Sequence, residues 1–304
     1  MDSFSVVYSN FEVNIIIVKE ILKKVRKYEI EIRKFLNNSN QGDYRSIFKG
    51  SGIDFDDLRP YQYGDDHRSI NWNITAKEDK IYTNTYKEDK EQSVFFLVDV
   101  SKSQEIGKDE NKINTSKEIA SVLTLSALNT NSQVGLLCFS DQKELFIQSK
   151  KGISHGYRII KNIYELKQKS NNTSISSMIR FFMKSIRKKS LVIIISDFID
   201  ENYQKSLKSL SNSHDVICLH IYDDYETKIP ALGIIEVEEK ENNYKKWVNT
   251  SGKTFKEKTR DLFINSSIEM KKNMNSLGIN YSRINSRENY IKNLIKLFKY
   301  RKNR

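Results

Sequence analysis

Apolar residues along this chain gather in short unbroken runs, separated by longer stretches in which they recur every three or four positions. Val94–Val98, Val134–Phe139, Leu191–Ile195 and Val216–Ile221 are runs of the first kind. Their length and β-branched content predict strands buried on both faces. The intervening stretches, at about 111–129, 157–166 and 175–186 and again between 197 and 216, predict helices. Glu144–Gln148, reached through a short turn at Ser140 and Asp141, reads as an antiparallel edge partner of the second run. A last strand is expected at Ile279–Ile284, after a helix at 254–277 and before one at 287–300. Strands alternating with helices predict an α/β fold, a doubly wound and mostly parallel sheet with helices on both faces.

Upstream the pattern changes. Ile15, Val18, Leu22, Val25, Tyr28, Ile32 and Phe35 are spaced by three and four, which predicts one amphipathic helix within residues 1–40. Residues 50–80 mix glycine, aromatic and charged side chains without a period, and read as a small irregular lobe held by turns, aromatic packing and ion pairs. Arg59, Asp65 and Arg68 are assigned to such pairs. Alternation of Ile81, Thr83 and Thr85 with Tyr82 and Tyr86 adds a strand. The expected organisation is therefore a helix in 1–40, a β-containing lobe in 41–90, and an α/β domain in 91–304. An insertion at about 223–251 carries Pro230 and a strand at Gly233–Glu239.

Composition removes some alternatives. The 51 Lys and Arg against 39 Asp and Glu give a formal charge of +12, but the basic residues are spread through the chain. Nucleic-acid binding through a basic surface is thus a rival reading with no concentrated patch behind it. Cys138 and Cys218 lie in separate apolar runs and read as reduced core residues. Met1-Asp2-Ser3-Phe4 does not open a secretory leader, and no apolar run approaches the ~20 residues that span a bilayer. A cytoplasmic location is the expectation.

The chemistry concentrates at strand ends. Asp99, Ser101 and Ser103 follow the first run on alternate residues. Alone, such a triplet is what turns and helix caps use. In an open doubly wound sheet, however, ligands collect at the carboxyl ends of the strands, where successive connections diverge. If the 93–98 and 191–195 strands are neighbours, Asp197 meets Asp99 there, and the loop before the helix near Ser174 brings Thr173 to the same crevice. Two carboxylates and three hydroxyls form a hard oxygen set, suited to Mg²⁺, Mn²⁺ or Ca²⁺.

A metal-dependent hydrolase is the other rival. Phosphatases that start from an aspartate after a first strand use a second carboxylate two residues on, and here that residue is Ser101. His67, His155, His214 and His220 are scattered and read as structural or solvent-facing. Ser251-Gly252-Lys253-Thr254 copies the end of a phosphate loop, but Trp247 stands where its first glycine belongs. Ser46 and Lys49 have the serine–lysine spacing of penicillin-recognising enzymes, with nothing to complete that site. The terminal Lys296, Lys299, Arg301, Lys302 and Arg304 read as a solvated helix face.

Asp99-x-Ser101-x-Ser103 with Thr173 and Ser196-Asp197 resembles the metal-ion-dependent adhesion site (MIDAS) of von Willebrand factor A domains. The upstream G-x-D-F-D-D-L-R-P-Y-x-x-G-D-D-x-R-x-I-N-W, from Gly52 to Trp72, resembles the signature of the bacterial domain-of-unknown-function 58 family. Asp223-x-x-Glu226-x-x-x-Pro230-x-x-Gly233 resembles that family too. The resemblance implies that Ser101, Ser103 and Thr173 coordinate Mg²⁺ directly and that Asp99 and Asp197 act largely through water. One position is then left for a carboxylate of a partner protein. It also implies a non-enzymatic role beside a MoxR-type AAA+ ATPase in protein remodelling or maturation. Gln104 and Thr75-Ala76-Lys77 depart from the family pattern without removing a ligand.

Overall fold

The computed structural model of the chain describes residues 22–32, 34, 57–62, 75, 81–85, 93–105, 112–200, 202–227, 231–238 and 245–302. The chain divides into two compact units, one of residues 51–91 and one of residues 1–50 with 92–304. In the smaller unit β1 (Asp57–Pro60) and β2 (Tyr82–Thr85) pair antiparallel, Asp57 opposite Thr85 and Pro60 opposite Tyr82. β2 is the expected strand. β1 was not anticipated, because Asp-Leu-Arg-Pro has no alternation and gains its extended form from pairing with β2. Asp65, Arg68 and His67, the Arg59 side chain, Ser46 and Lys49, and the expected helix before residue 22 lie outside the described residues.

The larger unit is built on a six-stranded sheet. Its strands are β3 (Ser93–Asp99), β4 (Gln133–Phe139), β5 (Lys143–Lys150), β6 (Leu191–Ser196), β7 (Asp215–Tyr222) and β10 (Asn280–Asn285). They lie in the order β10-β7-β6-β3-β4-β5, all neighbours parallel except the β4–β5 edge pair. The chain leaves β3 toward β4 and β5, then crosses to β6 and continues the other way through β7 and β10. The two directions part between β3 and β6, which pair with Val98 opposite Ile195.

Strand alternation divides the core in two. Val94, Phe96 and Val98 face a cluster with α1 (22–32), α2 (Lys112–Asn129), α3 (Ile153–Glu165) and α8 (Ile291–Lys302). Phe95 and Leu97 face α4 (Ile175–Ser185), α5 (Gln204–Ser213) and the C-terminal end of α7 (Lys253–Ser276). Between β7 and α7, a single turn α6 (Asp224–Thr227) precedes β8 (Ile234–Glu238), and β8 pairs antiparallel with β9 (Lys245–Asn249). The insertion thus holds a hairpin where one strand was expected. β9, Lys-Lys-Trp-Val-Asn, has little apolar pattern to announce it. The last helix also begins later than expected, at Ile291, because Asp223 holds Ser286 and Arg287 in a turn and the Asn289 side chain accepts from Ile291 N at 3.0 Å.

Candidate functional site

The carboxyl ends of β3 and β6 hold a cluster of buried polar residues. Asp99 ends β3, and its side chain is wholly shielded from water. Its Oδ1 accepts from Ser101 N at 3.0 Å, which curls the chain so that Ser101 and Ser103 point back over the strand end. Their hydroxyl oxygens lie 3.0 Å apart, both in buried residues. Asp99 Oδ2 accepts from Ser196 Oγ at 2.7 Å, joining the end of β3 to the end of β6. The next residue is Asp197, 2% exposed.

Asp197 is aimed by an unusual turn. Phe198 has φ 55°, a left-handed backbone that a bulky residue rarely adopts. The turn is held because Phe198 N donates to Ser196 Oγ at 2.9 Å and Ile199 N donates to Asp197 Oδ1 at 3.2 Å. The Phe198 ring is buried against Tyr203 and His220.

Thr173 is half-buried in the loop before α4. Lys102 N donates to Asn171 O at 3.3 Å, and Ser174 N donates to Ser140 O at 3.1 Å, so this loop is stitched beside the Ser101–Ser103 turn and the end of β4. Glu144 accepts from Lys169 N and Ser170 N, and Asp200 accepts from Ile175 N at 2.7 Å. Asp99, Ser101, Ser103, Thr173 and Asp197 therefore all lie on three neighbouring loops at one end of the sheet.

Two further residues belong to this cluster. Lys112, the first residue of α2, is wholly buried, and its Nζ donates to Asp197 Oδ2 at 2.7 Å and to Glu226 Oε1 at 2.6 Å. Burial opposes its charge, but Asp197 and Glu226 outweigh burial and its pKa is raised. The Glu226 carboxyl is raised by its own burial, against the pull of Lys112. Neither residue was expected at the site. Lys112 resembles any solvated lysine at a helix start, and Glu226 stood out only within the Asp223-x-x-Glu226 motif. Gln104 is buried, with neither amide atom hydrogen-bonded among the described residues.

The charges do not balance. Asp197 and Glu226 face one ammonium, and among the described residues no cation pairs with Asp99. Its pKa is pushed up to about 7, first by burial and then by the charge of Asp197, against the hydrogen bonds from Ser196 and Ser101. A divalent ion beside Asp99 and Asp197 would offset the negative charge that burial and their mutual repulsion oppose. Spacing agrees, since cis ligands on an octahedron with Mg–O near 2.1 Å lie about 3.0 Å apart, the separation of the two serine hydroxyls. Among the described residues no three His, Cys, Asp or Glu side chains form a metal cage, so the fit depends on hydroxyls. The described histidines are occupied elsewhere: His155 Nε2 bonds Val134 O at 2.9 Å, His220 Nδ1 bonds the Tyr281 hydroxyl at 2.6 Å, and His214 packs edge-on to Phe182.

Among solved structures, BatB from Bacteroides thetaiotaomicron is similar over 70% of this chain and 100% of its own, at 13% identity and a TM-score of 0.43. The SpRpn10 VWA domain is similar over 43% of this chain and 75% of its own, at 15% identity and a TM-score of 0.33. The uncharacterized protein Rv1480 of Mycobacterium tuberculosis is 22% identical over 222 residues, 72% of this chain and 70% of the relative. The family described as protein of unknown function DUF58 matches residues 57–269, which include the β1–β2 pair, every residue of the cluster and the β8–β9 hairpin. This chain belongs to the DUF58 family.

Proposed function

We propose that this chain is a non-enzymatic, Mg²⁺-dependent protein-interaction module. Asp99, Ser101, Ser103, Thr173 and Asp197 hold the ion, with Mn²⁺ or Ca²⁺ as substitutes, in the crevice where the sheet connections part. The observation that supports this best is the 3.0 Å pairing of the Ser101 and Ser103 hydroxyls beside a buried Asp99 with which no cation pairs among the described residues. The bound ion supplies an electrophilic position that a partner's Asp or Glu carboxylate can occupy. The protein's own part is to hold the two serines and Thr173 as neutral ligands and to keep Asp99 and Asp197 fixed behind them. Neutral direct ligands leave most of the ion's charge for the partner. The family resemblance adds a MoxR-type AAA+ ATPase as the working partner.

Two measurements test this. Calorimetric titration with Mg²⁺ should show one site in the wild type and none in Asp99→Ala. A MoxR-type ATPase should then be retained by immobilised wild type in Mg²⁺ and released by EDTA. Equal Mg²⁺ uptake by Asp99→Ala would overturn the metal assignment, and EDTA-insensitive retention would overturn the role of the ion in binding.

A further inference from the structure

Lys112 is out of place for a lysine. It is wholly buried, where an ammonium loses its hydration. The position is tolerable only because two carboxylates from different loops close on it, Asp197 from the end of β6 and Glu226 from α6. Both oxygens of Asp197 are engaged, Oδ1 by Ile199 N and Oδ2 by Lys112. One of the two acidic residues at the ion position thus already has a cation, while among the described residues Asp99 has none.

We propose that Lys112 is a built-in counter-cation that competes with the divalent ion for Asp197 and so sets how tightly the site is loaded. The inference rests on the metal reading above and names a control on that same site. Glu226 is the second seat of the ammonium. When Asp197 turns toward the ion, the ammonium stays with Glu226, so loading is felt at the 223–226 turn. That turn is anchored in its own right: Asp223 accepts from Ser286 Oγ at 2.7 Å and Arg287 Nε at 3.1 Å, and Asp224 accepts from Asn285 Nδ2 at 2.8 Å. Lys112 therefore links the crevice between β3 and β6 to the β7–β10 side of the sheet, from which the β8–β9 insertion departs. Neither link depends on a solvent-exposed charge, so moderate salt should leave the coupling intact.

The experiment is Mn²⁺ titration of the full chain, reading free Mn²⁺ by electron paramagnetic resonance, with folding checked by circular dichroism. Lys112→Met removes the competitor and should tighten Mn²⁺ binding by at least about tenfold. Glu226→Gln leaves the ammonium to Asp197 alone and should weaken binding by a similar factor. Opposite signs in the two variants are the expected result. Should Lys112→Met fail to fold without metal, Glu226→Gln carries the test. Unchanged or weaker binding in folded Lys112→Met, or unchanged or tighter binding in Glu226→Gln, overturns the role of Lys112. If the wild type takes up no Mn²⁺, or takes it up equally as Asp99→Ala, the metal reading itself fails and the inference with it. Wild-type uptake that Asp99→Ala abolishes and Lys112→Met leaves unchanged removes the inference alone.

Discussion

Asp99 and His220 are two buried titrating groups whose pH effects on stability run in opposite directions. The pKa of Asp99 is about 7 in the fold, against an ordinary 3.8. Between these values the folded state holds a proton that the unfolded chain has lost, so this term favours folding fully below about 3.8 and is lost as pH rises through 7. The swing is about 4 kcal/mol. His220 has its pKa lowered to about 4, by burial first and then by Arg283. Here the unfolded chain binds the proton first, so stability is present above 6.5 and is lost as pH falls toward 4, by about 3 kcal/mol. The two slopes cancel over most of the range from 4 to 6.5. Asp99→Asn should uncover the histidine limb, and in EDTA its advantage over the wild type should grow by about 1.4 kcal/mol per pH unit up to pH 7. Urea unfolding at half-unit pH steps measures that difference, and a constant difference would contradict the burial-raised carboxylate. Saturating Mg²⁺ should uncover the same histidine limb in the wild type, because an ion beside Asp99 favours its charged form.

At the scale of elements, close packing between neighbours makes some small residues irreplaceable and others not. A Cβ on Gly135 of β4 would lie 2.3 Å from the Phe95 ring and 3.0 Å from the Ile147 carbonyl oxygen. Phe95 is buried and fixed edge-on to Phe182, so neither neighbour can yield. Gly135→Ala should cost about 1–3 kcal/mol in urea unfolding. A Cβ on Gly156 of α3 would meet Leu128 Cδ1 at 2.5 Å and Leu125 Cδ2 at 3.3 Å, both ends of flexible side chains, and alanine gains about 1 kcal/mol in helix propensity over glycine. Gly156→Ala should therefore be close to neutral. Which elements were legible in the sequence follows the same logic. Runs such as Leu191–Ile195 announce their strands because they are buried on both faces, whereas β9 is paired on one side and mostly exposed and shows no period. The five oxygen-bearing residues could be assembled because each sits at the end of an element whose limits the apolar pattern marks. Lys112 could not, since only the fold shows that Asp197 and Glu226 converge on the start of α2.

For the molecule as a whole, the larger unit is made from two pieces of chain, with residues 51–91 between them. Its N-terminal piece is structural: in α1, Val25 and Ile32 are buried in the cluster that contains α2, α3 and α8. Tyr28 packs edge-on to Tyr290 at 5.6 Å, Lys24 pairs with Glu118 at 2.8 Å, and Asn129 Nδ2 donates to Glu29 at 2.9 Å. Glu118 also accepts from the Tyr290 hydroxyl, so α1, α2 and α8 share one polar junction above a common apolar core. A helix joined in this way should unfold with the sheet and not before it. Ile32→Ala removes most of a buried side chain and should cost about 2–5 kcal/mol, near the range for a sheet residue such as Ile193. Hydrogen exchange supplies the decisive reading. If α1 is integral, Ile32→Ala lowers protection in β3 and β6 by the same free energy that it takes from global unfolding. If α1 were a detachable appendage, protection would fall in α1 alone and the strands that carry Asp99 and Asp197 would exchange as in the wild type. The first outcome also predicts that Ile32→Ala leaves Mg²⁺ affinity unchanged wherever the protein remains folded, because the described contacts of α1 are with Glu118, Asn129, Tyr157 and Tyr290, away from Asp99.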